Sequence, residues 1–374
     1  RERNRIVLRT PAELGANLED TGWGVIFPAG VNAEPLLQAL QPLLEHRRQQ
    51  ATRKSEYRYQ EFVSERGYRP GESAQDFLQR HGAGFSQFNP DKVPYYLLIV
   101  GSPQDIPFEF QYSLDIQYAV GRIHFDQPEA YHNYARCVVL CESGEVRLPN
   151  RAAIFAPSNK DDPATRASME KLAKPLSERL LQSRPNWQVE AILAEDATKR
   201  RLASLMGGAD TPTVLLTLTH GLAFPTGDPA QISSTGALVC QDWTGPKEWR
   251  GPITPDFYFS ADDLDAQGRL LGLVTFFWGS YTGGTPQKDE EGFMRARVSA
   301  PSAFLSRLPV QMLCHPNGGA LAVIGITWLG WGFAFESMEG SESTTIFDYT
   351  LERLMQGATV GKAMEMINQR SALL

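Results

Sequence analysis

The chain has 374 residues, 42% of them hydrophobic and 21% charged, with a formal net charge of −7. That content supports a sizeable core, in two or three units of about 100–200 residues or one large α/β domain. The acidic balance argues against a nucleic-acid binder, which carries an excess of Lys and Arg; four cysteines without a CxxC pair are too few for a disulfide scaffold and fit a reducing compartment such as the cytoplasm.

In chain order, short apolar runs alternate with helical patterns. Residues 21–30 read as a buried strand ending in a turn, and residues 34–50 carry leucines at helical spacing. Residues 51–90 are polar and irregular, rich in Arg, Tyr, Gly and Pro, and read as the place for an insertion. Residues 94–103 are again a strand and a turn. From Asn150 the alternation sharpens: strands at 152–157, 187–194, 211–219, 270–278 and 320–326, and helices at 162–182 and 197–206. Asp162 is a candidate cap there, before Pro163 at the first helical position. Such alternation predicts an α/β fold with a mostly parallel sheet flanked by helices. The longest charge-free apolar run, residues 320–335, is broken by glycines and shorter than the roughly 18 residues of a membrane span. No signal peptide opens the chain, and its first residue is Arg; we expect it to be a portion of a longer protein with flanking domains.

In open α/β sheets, sites form beyond the carboxyl ends of the strands. Two ends carry chemistry: His220 and Gly221 follow one buried run, and Ser280 follows another. If those strands are neighbours, an imidazole and a hydroxyl meet at one sheet edge. Acyl transfer needs a nucleophile, a base within reach and N–H donors for the oxyanion. Gly221 leaves its N–H free to approach a substrate oxygen, and the glycines after Ser280 admit a peptide backbone. A phosphate-binding reading of the same glycines fails on spacing and lacks the Lys-Ser/Thr pair. Cys240 and Cys314 have no evident histidine partner and read as packing residues. The six histidines form no ligand-spaced pair, and Asp262, Asp263 and Asp265 lack the remainder of a calcium loop, so no metal or cofactor is expected.

These strand ends resemble the caspase-like cysteine peptidases of bacteria, the CHAT and gingipain-like group of the caspase fold. That family's second strand end usually reads Ala-Cys-Tyr-Gly-Ala-Gly-Thr-Pro; here Ser280, Tyr281, Thr282, Gly283, Gly284, Thr285 and Pro286 resemble it place for place, with Ser280 at the cysteine position. The family's histidine falls on His220. Residues 236–246, 256–264 and 315–325 support the likeness, which is clear from about residue 152 onward and looser before it. The resemblance implies a peptidase domain over 151–374, preceded by a divergent, pseudo-caspase-like α/β half over 1–150. It implies His220 as general acid/base, residue 280 as nucleophile, and the N–H groups of Gly221 and Ser280 as the oxyanion hole. It also implies a protein or peptide substrate and a regulatory sensor domain or protein; from the charge and the apolar runs, no direct nucleic-acid or membrane partner is expected.

The serine is a departure from the family. A thiol supplies some thiolate unaided, whereas a serine needs a base oriented by a third group, and no third member for His220 is evident. Ser280 is therefore expected to be nearly inert on amides. We favour a cysteine endopeptidase held inactive by a Cys-to-Ser replacement; the alternatives are a natural pseudo-peptidase that binds a peptide, and a serine hydrolase. Asp115 and Arg122 are opposite candidates for a charged specificity pocket. Trp328 and Trp331 are candidates for lining a groove that holds an extended peptide.

Overall fold

The computed structural model describes residues 17–84, 88–146, 148–289, 297–298, 300–328 and 342–371. The chain forms two compact units, residues 1–124 with 357–374, and residues 125–356. The sequence reading draws its line later, after residue 150.

In the first unit the strands are β1 (Trp23–Ile26), β2 (Tyr59–Phe62), β3 (Tyr96–Val100) and β4 (Ala119–Ile123). They form a parallel sheet in the order β2-β1-β3-β4. The helices are α1 (Leu18–Thr21), α2 (Glu34–Ala51), α3 (Ala74–Arg80) and α4 (Phe108–Asp115). Phe77 and Leu78 of α3 and Phe110 and Leu114 of α4 bury one face of the sheet with Ile26, Leu97 and Ile99. The expected insertion at 51–90 instead carries β2 and α3. Strand β2 escapes a hydrophobic-pattern reading because it is an edge strand: three of its four residues, Tyr59, Gln60 and Glu61, are only half-buried, so its composition is mixed.

The second unit holds a five-stranded, wholly parallel sheet. Its first three strands are β5 (Arg151–Ala156), β6 (Gln188–Leu193) and β7 (Val214–Leu218). After two short ribbon strands, β8 (Leu238–Val239) and β9 (Tyr258–Phe259), comes β10 (Val274–Trp278). Four more two-residue strands follow: β11 (Gly284–Thr285) pairs with β14 (Phe304–Leu305), and β12 (Lys288–Asp289) with β13 (Arg297–Val298). The last sheet strand is β15 (Ala322–Gly325). The order is β15-β10-β7-β5-β6. Strands β5 and β7 are buried almost end to end, as expected of a parallel sheet covered on both faces.

The unit opens with α5 (Pro128–Glu142). Helix α6 (Pro163–Ala167) runs through a π turn at Ser168–Ala173 into α7 (Lys174–Ser183). Pro175, at the start of α7, has no N–H to continue the ladder, which accounts for the wide turn before it. Then come α8 (Lys199–Leu205), α9 (Ala230–Ser234), α10 (Arg307–Leu313) and α11 (Glu342–Met355). Leu202 and Leu205 of α8 and Leu308 and Met312 of α10 cover one face, with Phe155, Leu215 and Phe277 of the sheet. On the other face Phe347 of α11 stacks on Phe276 of β10, ring centroids 5.6 Å apart. The final helix, α12 (Val360–Ser371), belongs to the first unit and packs on β4, where a side chain at Gly361 would run into Ala119. Among the described residues, no helix is long and apolar enough to cross a membrane.

Both units wind alike. Taking the strands of each sheet in chain order, each begins 2-1-3-4, with the reversal between first and third strands. In such sheets the crevice beyond the carboxyl ends at that reversal is the natural place for a site. In the second unit it lies beyond β5 and β7.

Candidate active site

Three segments leave the carboxyl ends of adjacent strands. Asp162 follows β5, His220 follows β7 and Ser280 follows β10. In the β7–β10 register Leu218 pairs with Trp278, and the Thr219 N–H donates to the Trp278 carbonyl at 3.2 Å. Two further steps along that parallel register bring His220 beside Ser280.

The close approach is visible in the glycines. A Cβ on Gly221 would lie 1.9 Å from the Ser280 carbonyl oxygen, and one on Gly279 would lie 2.5 Å from that of Thr219. Only glycine fits at either position, which explains the His-Gly and Gly-Ser pairs physically. The β7 extension continues into a bridge between Gly221 and Leu238, in which His220 O and Leu222 N take the hydrogen bonds. Among the described residues no acceptor meets the Gly221 N–H.

His220 does have a carboxylate partner. Its Nε2 lies 2.6 Å from Oδ2 of Asp162. An ionised carboxylate only accepts, so Nε2 carries the proton and Nδ1 is left as the basic nitrogen. The other oxygen of Asp162 caps α6, accepting from the Ala164 N–H at 3.0 Å. Burial pushes the Asp162 carboxyl up, but the bond to and charge of His220, helped by the Ala164 N–H and the Thr165 hydroxyl, outweigh it and hold the carboxyl below its ordinary range. The Asp162 side chain is 8% exposed and that of His220 42%: a buried anion orients an accessible imidazole. The sequence reading gives Asp162 only its capping role and leaves His220 without a third group; the structure corrects this. The available signal was a carboxylate just beyond the first strand of the unit, where the switch point falls.

The turn after β10 is held rigidly. Tyr281 has φ +57°, a left-handed conformation that costs a non-glycine residue about 1–2 kcal/mol. Its N–H donates to the Trp328 carbonyl at 3.1 Å, and its carbonyl accepts from the buried Ser306 hydroxyl. The Thr282 hydroxyl, fully buried, donates toward the carbonyls of Phe277 and Gly279 and accepts from the Ile326 N–H. Strain of this kind persists where the surroundings over-determine it, commonly at functional sites.

The other candidates fall in different places. Asp115 and Arg122 belong to the first unit. Arg122 donates to the carbonyls of Gly101 and Pro107 and to Gln111 Oε1, and burial pulls its guanidinium down to about 10. Asp115 accepts from the Val120 N–H at 3.1 Å. Trp328 lies just past β15, 44% exposed, with its carbonyl on Tyr281. Trp331 lies outside the described residues. Burial pushes the thiols of Cys314 and Cys141 up to about 11 and that of Cys240 higher still, which disfavours thiolate. Asp263 is taken up by Lys199 at 2.6 Å and by a capping box with Ser260. Among the described residues, no three His, Cys, Asp or Glu side chains are grouped to hold a metal.

Comparison with solved structures agrees on the architecture. The Arg-specific cysteine proteinase gingipain R superposes with a TM-score of 0.56 at 12% identity, over 93% of this chain and 70% of that one. A complex of the pro- and mature domains of RgpB from Porphyromonas gingivalis gives 0.47 at 12% identity, over 92% and 76%; a likeness of that size adds no argument. The fold is thus caspase-like, and at 12% identity the likeness speaks to fold alone. No family model and no curated protein sequence matches the chain.

Proposed function

We propose that the second unit is an endopeptidase of caspase-like fold, working by acyl transfer at residue 280. The observation that carries this is the Asp162–His220 hydrogen bond beyond the switch point, with the backbone of residue 280 packed against Gly221. Nδ1 of His220 takes the proton from the side chain at 280 as it attacks a carbonyl, then returns it to the leaving amine. The N–H groups of Gly221 and residue 280 receive the oxyanion. A segment of a protein partner occupies the groove, with Trp328 along its edge.

The expectation that Ser280 is inert rests on the lack of an orienting carboxylate, which Asp162 supplies. The turn also differs from the family pattern at Gly279, Thr282 and Gly283 besides Ser280. Gly283 is matched to its surroundings, since a Cβ there would lie 2.9 Å from the Gly325 carbonyl carbon. A loop adapted at several positions favours serine as this chain's own nucleophile over a single replaced cysteine.

The test is labelling with a fluorophosphonate, alongside a Ser280→Cys variant incubated with a peptide library. Labelling at Ser280 that disappears in His220→Gln supports the serine nucleophile. Cleavage by the Cys form alone restores the cysteine-peptidase reading. If neither form reacts but both hold peptides tightly, the site is a binding groove and the catalytic reading fails.

A further inference from the structure

We propose that residues 237–248 form a strap that sets the distance between Asp162 and His220, and that Asn159 is the positioning residue that locks it; this rests on the acyl-transfer reading above. The strap grips both carriers of the pair. Its first part holds the histidine segment: the Val239 N–H donates to the His220 carbonyl at 3.0 Å, the Leu222 N–H to the Ala237 carbonyl at 2.9 Å, and the Thr219 hydroxyl to the Val239 carbonyl. Its second part holds the loop that carries Asp162. Ser158 and Gln241 exchange two hydrogen bonds, the Ser158 N–H to Oε1 at 2.7 Å and Nε2 to the Ser158 carbonyl at 3.1 Å. Further out, Lys247 pairs with Asp161 at 2.8 Å and Lys160 with Glu248. Gly245, at φ +92°, lies so close that a Cβ there would collide with the Lys160 carbonyl.

Asn159 sits where the two halves meet. It is fully buried, and its Nδ2 donates to the carbonyls of Cys240 at 3.0 Å and Trp243 at 2.9 Å. Cys240 directly follows the residue bonded to His220, and the Trp243 and His220 rings meet in a T-shaped arrangement, centroids 6.5 Å apart. The Asn159 carbonyl in turn accepts from the Asp162 N–H at 3.2 Å. One amide therefore ties the carboxylate loop to the segment that fixes the imidazole. No other neutral side chain of this size offers two N–H donors from one atom, and a buried carbonyl left without its donor is costly. A shift of about 1 Å in such a pair costs about a hundredfold in rate.

The full chain, with ¹⁵N-labelled histidine, is examined by proton NMR for the low-field resonance of the His220 Nε2–H bound to Asp162, assigned by its loss in His220→Gln. In Asn159→Ala we expect that resonance to disappear or move upfield, and fluorophosphonate labelling of Ser280 to fall about a hundredfold. Asn159→Asp, which keeps the size and removes the two donors, should do the same. Gln241→Ala, which loosens the strap without touching the buried amide, should do so more weakly and remains readable if the Asn159 variants fail to fold. An unshifted resonance in folded variants, or no such resonance in the unsubstituted protein, overturns the proposal. A resonance that responds as expected while Ser280 never labels leaves the strap standing and removes the acyl-transfer reading instead.

Discussion

Asp162 does two jobs with two oxygens, and the chemistry separates them. Oδ1 holds the first turn of α6 and Oδ2 holds His220. Asp162→Asn keeps the cap acceptor but can no longer demand the proton of Nε2, so the imidazole is free to adopt the other tautomer. Where Ser280 is the nucleophile, the acylation rate should drop by on the order of 10³–10⁴-fold, with the helix signal by circular dichroism unchanged. The lowered Asp162 pKa also fixes a sign. The ionised form is the stabilised one, so its contribution is present above the ordinary aspartate pKa of about 4 and is lost as pH falls through the folded value. Thermal melts below about pH 4 should therefore show a smaller difference between wild type and Asp162→Asn than melts at neutral pH. At Gly221 the argument is steric. Gly221→Ala places a carbon 1.9 Å from the Ser280 carbonyl oxygen, so β7 and β10 must part at their ends; we expect about 1–3 kcal/mol lost in denaturant titration together with loss of any reactivity at Ser280.

Elements place these residues more firmly than their own side chains do. The turn after β10 is built from one strained residue and two buried hydroxyls. Ser306 stands at the N-cap position of α10 yet makes no cap bond; its hydroxyl goes to the Tyr281 carbonyl 25 residues earlier in the chain. Thr282 links the end of β10 to the segment after β15. Thr282→Val keeps the shape and strands the buried Ile326 N–H, so a loss of about 1–3 kcal/mol is expected in urea unfolding. The helix predicted over 162–182 exists but contains a π turn, because Pro175 interrupts a ladder whose apolar spacing otherwise continues. Strand β2 and the long helix α5 were harder to read. The first is a half-polar edge strand, and the second mixes apolar residues with Tyr131, His132, Asn133 and Arg136, which dilutes its periodicity.

At the scale of the molecule, two units of like winding carry acids held in opposite protonation states. In the second unit Asp162 is held ionised by a partner. In the first, burial pushes the Asp115 carboxyl up to about 8, against the opposing pull of the Val120 N–H, the Arg122 charge and Gln111. A raised acid pKa means that the folded state binds the proton more tightly than the unfolded chain does. Its contribution is complete at low pH and is lost as pH rises from about 4 toward 8. Asp115→Asn, permanently neutral, should therefore raise the Tm at pH 8.5 and raise it several-fold less at pH 5, as differential scanning calorimetry would show. An equal effect at both values would mean that Asp115 is ionised throughout.

The fold class was legible in the chain because a parallel sheet needs strands buried on both faces, and those appear as short apolar runs separated by helices. The histidine and the Ser280 turn were legible for a related reason: chemistry follows the carboxyl ends of such strands, and glycines mark where backbones must touch. The carboxylate partner of His220 was hidden. Asp162 precedes His220 by 58 residues, and its local sequence already explains it as a cap, so nothing along the chain demands a second role. Only the sheet order, which returns β7 to the side of β5, brings carboxylate and imidazole within hydrogen-bonding distance. Likewise, Asn159 and the 237–248 strap lie far apart in sequence and are joined by backbone carbonyls, which carry no sequence signature.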